Sequence, residues 1–178
     1  MVLIAQGIGI FAMTANILSY QFKFKQKVLC AQLIGAALFA INMFMLDAVM
    51  GGILNFIAVI RSIIYINSAH LPWNLKYVNA GFMLLYAVSY GLVFTLFGKS
   101  PTAMNLIIEL LPLIGMGAMT VGFSKTGAKA IRICGLINSP CWLIYNCVNL
   151  AIGGILCEVI CLFSILSAYL RLDANKTK

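Results

Sequence analysis

A short segment near the amino terminus, Ile8-Gly9-Ile10-Phe11-Ala12-Met13-Thr14, returns as Ile114-Gly115-Met116-Gly117-Ala118-Met119-Thr120, five of seven residues identical at an offset of 106. Cys30 and Asn42 recur as Cys134 and Asn146 at 104, and Gly51-Gly52-Ile53-Leu54 as Gly153-Gly154-Ile155-Leu156 at 102. Anchors that keep their order while the offset drifts by two residues imply one unit of three segments used twice, with short insertions or deletions in its loops. Such a chain has to set two copies of one layout around a shared interface.

The surroundings of that interface follow from composition. Of 178 residues, 63% are apolar and 9% charged, against roughly 45–50% and 25% in soluble domains. Seven apolar stretches are long enough to cross a hydrocarbon core, each needing about 17 to 25 residues. They fall near Val2 to Tyr20, Val28 to Leu46, Met50 to Ser68, Tyr77 to Phe97, Thr102 to Phe123, Lys129 to Asn149 and Ala151 to Arg171. None alternates as a barrel strand would, and lipid cannot satisfy open backbone groups, so helices are expected. The predicted fold is an all-α membrane protein of seven transmembrane helices within a single domain, 1–178. Two parallel triple-helix bundles, 2–68 and 102–171, are joined by a linker helix at 77–97 and followed by a cytoplasmic tail at 172–178. Helices one and five are an even number of crossings apart, so the repeats run parallel about an axis along the membrane normal.

Basic residues set the expected orientation. Lys23, Lys25, Lys27, Arg61, Lys76, Lys125, Lys129, Arg132, Arg171, Lys176 and Lys178 fall toward one side, and only Lys99 toward the other. The positive-inside rule then puts the amino terminus outside and the carboxy terminus in the cytoplasm. The net charge of +8 is thus a topology signal. It argues against a nucleic-acid partner, because the basic residues sit in separate short loops without an aromatic-bearing face. The lipid bilayer is the expected partner, its anionic headgroups meeting these loops. The apolar run at the amino terminus lacks a basic region and is long enough to remain as the first span rather than a cleaved signal.

Metal and cofactor chemistry find little support. The six cysteines, Cys30, Cys134, Cys141, Cys147, Cys157 and Cys161, fall inside predicted helices, without a CxxC pair, and His70 is alone. They read as small packing residues, although Cys157 and Cys161 share a helix face. No metal, no cofactor and no catalytic residue is expected, because no serine or cysteine stands with a nearby base.

Four groups of residues carry the functional expectation. Gly51-Gly52 and Gly153-Gly154 each open a third helix and allow close approach. Pro112 and Pro140 lie mid-helix in the second repeat, where each removes a backbone hydrogen bond, so they are hinge candidates. The anchors align them with Gln6 and Ala36. Glu109 and Glu158 each lie about 10 Å below the outer surface at 1.5 Å per residue, and an ionisable group so placed faces a cavity, a partner or a proton path. Arg61 is the candidate to neutralise one of them. Asn42, Asn55, Asn138, Trp142 and Asn146 form a second polar set, suited either to a solute pathway or to hydrogen bonds between helices.

The stretch Glu109-Leu110-Leu111-Pro112-Leu113-Ile114-Gly115, then Trp142-Leu143-Ile144-Tyr145-Asn146, then Ile152-Gly153-Gly154 with Glu158, resembles the YgjV family of small bacterial inner-membrane proteins. The three-one-three layout is similar to the SWEET and PQ-loop superfamily, which resemblance implies transport of sugars or amino acids through a cavity between two bundles. Prolines kink both repeats in that superfamily and only the second here. The combined expectation is a small polar solute moved by alternating access, with Glu158 or Glu109 exchanging a proton, in a bacterial inner membrane and compatible with a homo-oligomer. A non-transporting binding or assembly protein, with its charges locked in structural pairs, is the rival. The topology has a direct check. A reporter fused after Lys178 should be cytoplasmic and one inserted at Lys99 external; a carboxy terminus outside would break both orientation and helix count.

Overall fold

The computed structural model describes residues 2–45, 49–70, 74–96, 98–148 and 152–173. Beyond them lie Lys176 and Lys178 of the expected tail, as well as Leu46, Phe97, Asn149 and Ala151 at the expected limits of spans. The described residues form seven α-helices: α1 Val2–Ser19, α2 Lys25–Met45, α3 Val49–Ile66, α4 Leu75–Thr95, α5 Ala103–Ser124, α6 Ala128–Val148 and α7 Ile152–Leu172. A single 3₁₀ turn, Ser68–His70, follows α3. At 18 to 22 residues each helix is about as long as a bilayer core is thick. Four of them are long and apolar enough to cross a membrane by length and composition: Lys25–Met45, Leu75–Thr95, Ala103–Ser124 and Gly154–Leu172. Shorter apolar helical stretches, Gly7–Ser19 and Gly51–Ile66, belong to α1 and α3. The remaining helix, α6, carries Lys129, Arg132, Asn138, Ser139 and Asn146.

Local chemistry fixes the helix ends. The Asn74 side chain caps α4 by accepting from the Lys76 N–H at 2.9 Å, and Thr102 caps α5 by accepting from Asn105 at 3.3 Å. Between them Gly98 adopts φ 65, a left-handed conformation that glycine reaches without steric cost. Large apolar side chains such as Phe11, Leu84, Ile107 and Phe163 are exposed on the helix surfaces, as befits a protein whose solvent is lipid.

Helices adjacent in sequence pack on one another from α1 to α3 and from α4 to α7, and the two groups meet through α1 with α7, α2 with α6 and α3 with α5. Their layout recurs with a constant shift. Helix α6 has the bounds of α2 displaced by 103 residues at both ends, and α7 begins 103 residues after α3. Buried positions follow the same shift. Ala5, Ala12 and Tyr20 are matched by Ile108, Gly115 and Phe123; Val28, Leu29 and Ala36 by Ile131, Arg132 and Ser139; Leu54, Ala58, Arg61, Ser62 and Tyr65 by Cys157, Cys161, Ser164, Ile165 and Ala168. The sequence identities at 106, 104 and 102 differ from this shift by one to three residues. At the 103 shift Glu158 falls on Asn55, Asn146 on Met43 and Pro112 on Gly9, while Asn42 and Asn146, paired by sequence identity, are both buried.

Two clusters hold the helices together. An aromatic stack of Tyr65, Phe82 and Tyr86, with centroids 6.2 and 6.3 Å apart and Phe123 edge-on to Tyr65 at 5.9 Å, joins α3, α4 and α5. Tyr65 also donates to Asn79 Oδ1. At the end where α1 finishes, Arg132 donates from Nε to Asp173 Oδ2 at 2.6 Å and from Nη2 to Oδ1 at 2.9 Å, a bidentate pair almost wholly buried. Its Nη1 donates to the carbonyls of Phe22 at 2.9 Å and Tyr20 at 3.3 Å. Three chain segments thus converge on one guanidinium.

Removing one member of a buried pair leaves the other uncompensated, at a cost of about 3–5 kcal/mol. Asp173→Ala should destabilise the protein by that amount in detergent unfolding. A loss below about 1 kcal/mol, the range of exposed pairs, would show that Arg132 is held by the carbonyls alone.

Candidate functional site

Side chains from six helices, polar ones from five of them, converge on one cavity with about 150 Å³ of space open to water. It lies where the two groups of helices meet, and every α-helix except α4 contributes to its wall. Asn16 comes from α1 and Tyr20 from the turn after it, Gln32 and Met43 from α2, Asn55 and Arg61 from α3, Met116 and Met119 from α5, Asn138, Ser139, Trp142 and Asn146 from α6, and Gly154, Cys157, Glu158 and Cys161 from α7. Of the expected pathway residues, the structure brings together Asn55, Asn138, Trp142, Asn146, Arg61 and Glu158.

Two expected residues lie elsewhere. Asn42 is buried between α1 and α2, where its Nδ2 donates to the Ala5 carbonyl at 2.7 Å and its amide packs over Gly9. It has the interhelical role that was the alternative reading of this amide. Glu109 accepts from Lys99 in an ion pair, with the carboxylate buried and the ammonium partly exposed. The charge partner expected for the glutamates was Arg61, which the structure places against neither. Lys99 reaches Glu109 instead because both lie near the same end of α5, ten residues apart in sequence.

Arg61 is only 5% exposed. Its Nη1 donates to the Met116 carbonyl at 3.0 Å, to Tyr86 Oη at 3.2 Å and to Thr120 Oγ1 at 3.4 Å, and the guanidinium stands 4.7 Å above the Phe123 ring. All of these partners are neutral. Nε is buried without a hydrogen-bond partner among the described residues. Glu158 lies in the same cavity, with no cation at ion-pairing distance among the described residues. The Ser139 side chain faces it, but its Oγ is buried and makes no hydrogen bond there.

Amides and glycines shape the rest of the wall. The Asn55 Nδ2 donates to Gly51 O one turn back at 2.9 Å, which directs the group along its own helix. A Cβ at Gly154 would stand 2.6 Å from the Asn146 amide, and one at Gly115 would stand 2.9 Å from Asn138 Oδ1. These glycines let α6 lie close enough to α5 and α7 for both amides to fit. Pro112 and Pro140 lie inside unbroken helices, each leaving the carbonyl four residues back without its usual partner. Pro140 directly follows the cavity residues Asn138 and Ser139.

A polar latch closes the α1–α7 seam at the end shared with Arg132. Gln21 Nε2 donates to the Ser164 carbonyl at 2.7 Å and to Ser164 Oγ at 2.8 Å, Ser164 Oγ donates to the Ile17 carbonyl at 2.7 Å, and Arg171 donates to Gln21 Oε1 at 2.8 Å. Sequence reasoning missed this latch, the Asp173 pair and the wall residues Asn16, Tyr20, Gln32 and Ser139. The available signal was the rarity of polar side chains in apolar spans, which singles out Asn16, Gln32 and Ser139.

Cys157 and Cys161 are free thiols one turn apart on the cavity wall. In variants keeping only one of the two, a charged, water-soluble methanethiosulfonate should modify each of them. Absence of modification at both positions, with the unfolded protein fully reactive, would mean a dry seam.

Residues 3–176 match a family model named Imp-YgjV and described as a bacterial inner membrane protein. No curated protein and no solved structure matches the chain. With nearly its whole length matched, the chain belongs to the Imp-YgjV family of bacterial inner membrane proteins.

Proposed function

We propose that this protein is a small-solute transporter, not an enzyme, in which α1–α3 and α5–α7 are two parallel units that rock about the cavity between them, with α4 as linker. The observation that carries the reading is the polar cavity at the junction of the two groups, holding the unpaired carboxylate Glu158. A group of this kind in hydrocarbon is expensive and is retained where it serves a pathway.

The recurrence at 103 residues supports the pairing of units. Exchanging α1 with α5, α2 with α6 and α3 with α7 turns the α1–α7 contact into α5–α3, leaves α2–α6 unchanged and converts the internal contacts of one unit into those of the other. A two-fold axis along the membrane normal has this property, and it is the arrangement in which the layout is similar to SWEET proteins. In the orientation given by the basic residues, amino terminus outside and carboxy terminus in the cytoplasm, the Gln21–Ser164–Arg171 latch is a cytoplasmic gate in its closed state. The latch consists of hydrogen bonds from side chains to side chains and to the Ser164 and Ile17 carbonyls, which can exchange partners with water. Pro140, beside Asn138 and Ser139, is the hinge nearest the cavity. Complete pairing of the buried charges would favour an assembly protein, and of Glu109, Glu158 and Arg61 only Glu109 is paired.

Glu158 is the group available to exchange a proton during the cycle, since Glu109 is engaged by Lys99. Purified protein in liposomes should take up a solute from a panel of sugars, amino acids and small acids. Glu158→Gln should fold and insert normally while losing the part of uptake that responds to an imposed proton gradient. Uptake by the variant with unchanged gradient response would remove Glu158 from coupling. No uptake of any panel member would favour the assembly reading.

A further inference from the structure

Every buried ion pair in the described structure is accounted for by Lys99 with Glu109 and Arg132 with Asp173. Of the chain's four acidic residues, Asp47 lies outside the described residues and Glu158, in the same cavity, makes no ion pair with Arg61. Arg61 is thus a cation, nineteen parts in twenty buried, solvated by a carbonyl, two hydroxyls and an aromatic ring. Its hydrogen bonds all leave from Nη1, and Nε has an N–H with no acceptor. A buried guanidinium without an anion is costly, and a donor left empty adds to that cost. Both costs fall on the wall of a water-accessible cavity.

We infer that the cavity takes a small solute bearing a carboxylate, with Arg61 as its anion-binding residue. The inference rests on the transport reading and names its substrate class. A carboxylate offers two acceptor oxygens in the geometry of the guanidinium fork, which a neutral sugar does not. The donor left over matches: Arg61 Nε has no partner among the described residues. The space, about 150 Å³, is below the roughly 300 Å³ at which pockets for drug-sized ligands begin, so the solute has few heavy atoms. Trp142, Asn138 and Asn146 line the same cavity and supply a ring face and amides for its uncharged part. The neutral partners of Nη1 hold the guanidinium in place without neutralising it, so the positive charge remains for the ligand.

The test uses lactate against lactamide, which differ in charge and little in shape, and chloride at matched ionic strength. Trp73→Phe leaves Trp142, one of the chain's two tryptophans, as the only tryptophan and a reporter within the cavity. Lactate should change its fluorescence saturably and slow modification of Cys161, while lactamide and chloride do neither. Arg61→Lys should weaken lactate binding at least tenfold, the loss of about one charge-assisted hydrogen bond. If that variant does not fold, the fluorescence and Cys161 protection in the Trp73→Phe protein decide alone. Absence of saturable lactate binding, or an equal response to lactamide or chloride, overturns the inference. Liposome flux separates the two readings: lactate binding without flux above protein-free liposomes keeps the inference and defeats transport, and glucose flux without lactate binding does the reverse.

Discussion

The cost of carrying charge into an apolar interior governs how this bundle is held together. A bilayer offers neither water nor counter-ions, so each buried charge has to find its partner within the protein or keep contact with a wet cavity. Arg132 meets this demand with Asp173 and two carbonyls at the end of α1, and in doing so ties α6 and α7 to the segment following α1. Glu109 meets it with Lys99 near the opposite end of α5. Arg61 and Glu158 do not meet it within the protein, and both lie on the wall of the cavity. The same rule therefore sorts the charges into those that fasten the ends and those that face the cavity between.

Association between the two groups of helices cannot come from burying apolar surface against lipid tails, which are as apolar as leucine. It comes from close packing and hydrogen bonds, and the polar contacts concentrate on the α1–α7 seam. Gly135 contributes by absence, since a Cβ there would stand 2.9 Å from the Tyr20 ring and 3.0 Å from Ile165. By contrast, α3, α4 and α5 are joined through stacked aromatic rings. A seam of exchangeable hydrogen bonds can part and reform, while an interlocked aromatic cluster has few alternative packings. In the proposed transport cycle this difference would put motion on one side of the cavity and anchorage on the other.

The helix count and most of the cavity were legible in the sequence because apolar length and misplaced polarity are strong signals in a membrane chain. Asn138, Trp142, Asn146 and Glu158 stand out in any apolar span, and all reach the cavity. Repeat register was not legible. A helix turns 100° per residue, so a shift of one to three positions puts a residue on another face. The identities give three different shifts, 106, 104 and 102, whereas the bounds of α2 and α6 recur at 103 at both ends. The partner of Arg61 was equally hidden, because proximity of charges in an amphipathic plan says nothing about which helix faces which.

Read in the register of burial, the two units keep shape and diverge in chemistry. Phe39 and Trp142, Met43 and Asn146, Asn55 and Glu158 stand in matching places on the cavity wall. Arg61 is matched by Ser164, which belongs to the latch rather than to the cavity. The guanidinium is therefore a feature of one unit and the carboxylate of the other. A path with matching walls would present the same groups to a solute in either half of a rocking cycle. Here the cation stands on the unit whose α3 packs against α5, and the ionisable carboxylate on the unit whose α7 forms the latch with α1. Under the proposed transport cycle, solute binding and proton exchange would then fall on opposite units, the arrangement needed if occupancy at one is to bias the movement of the other.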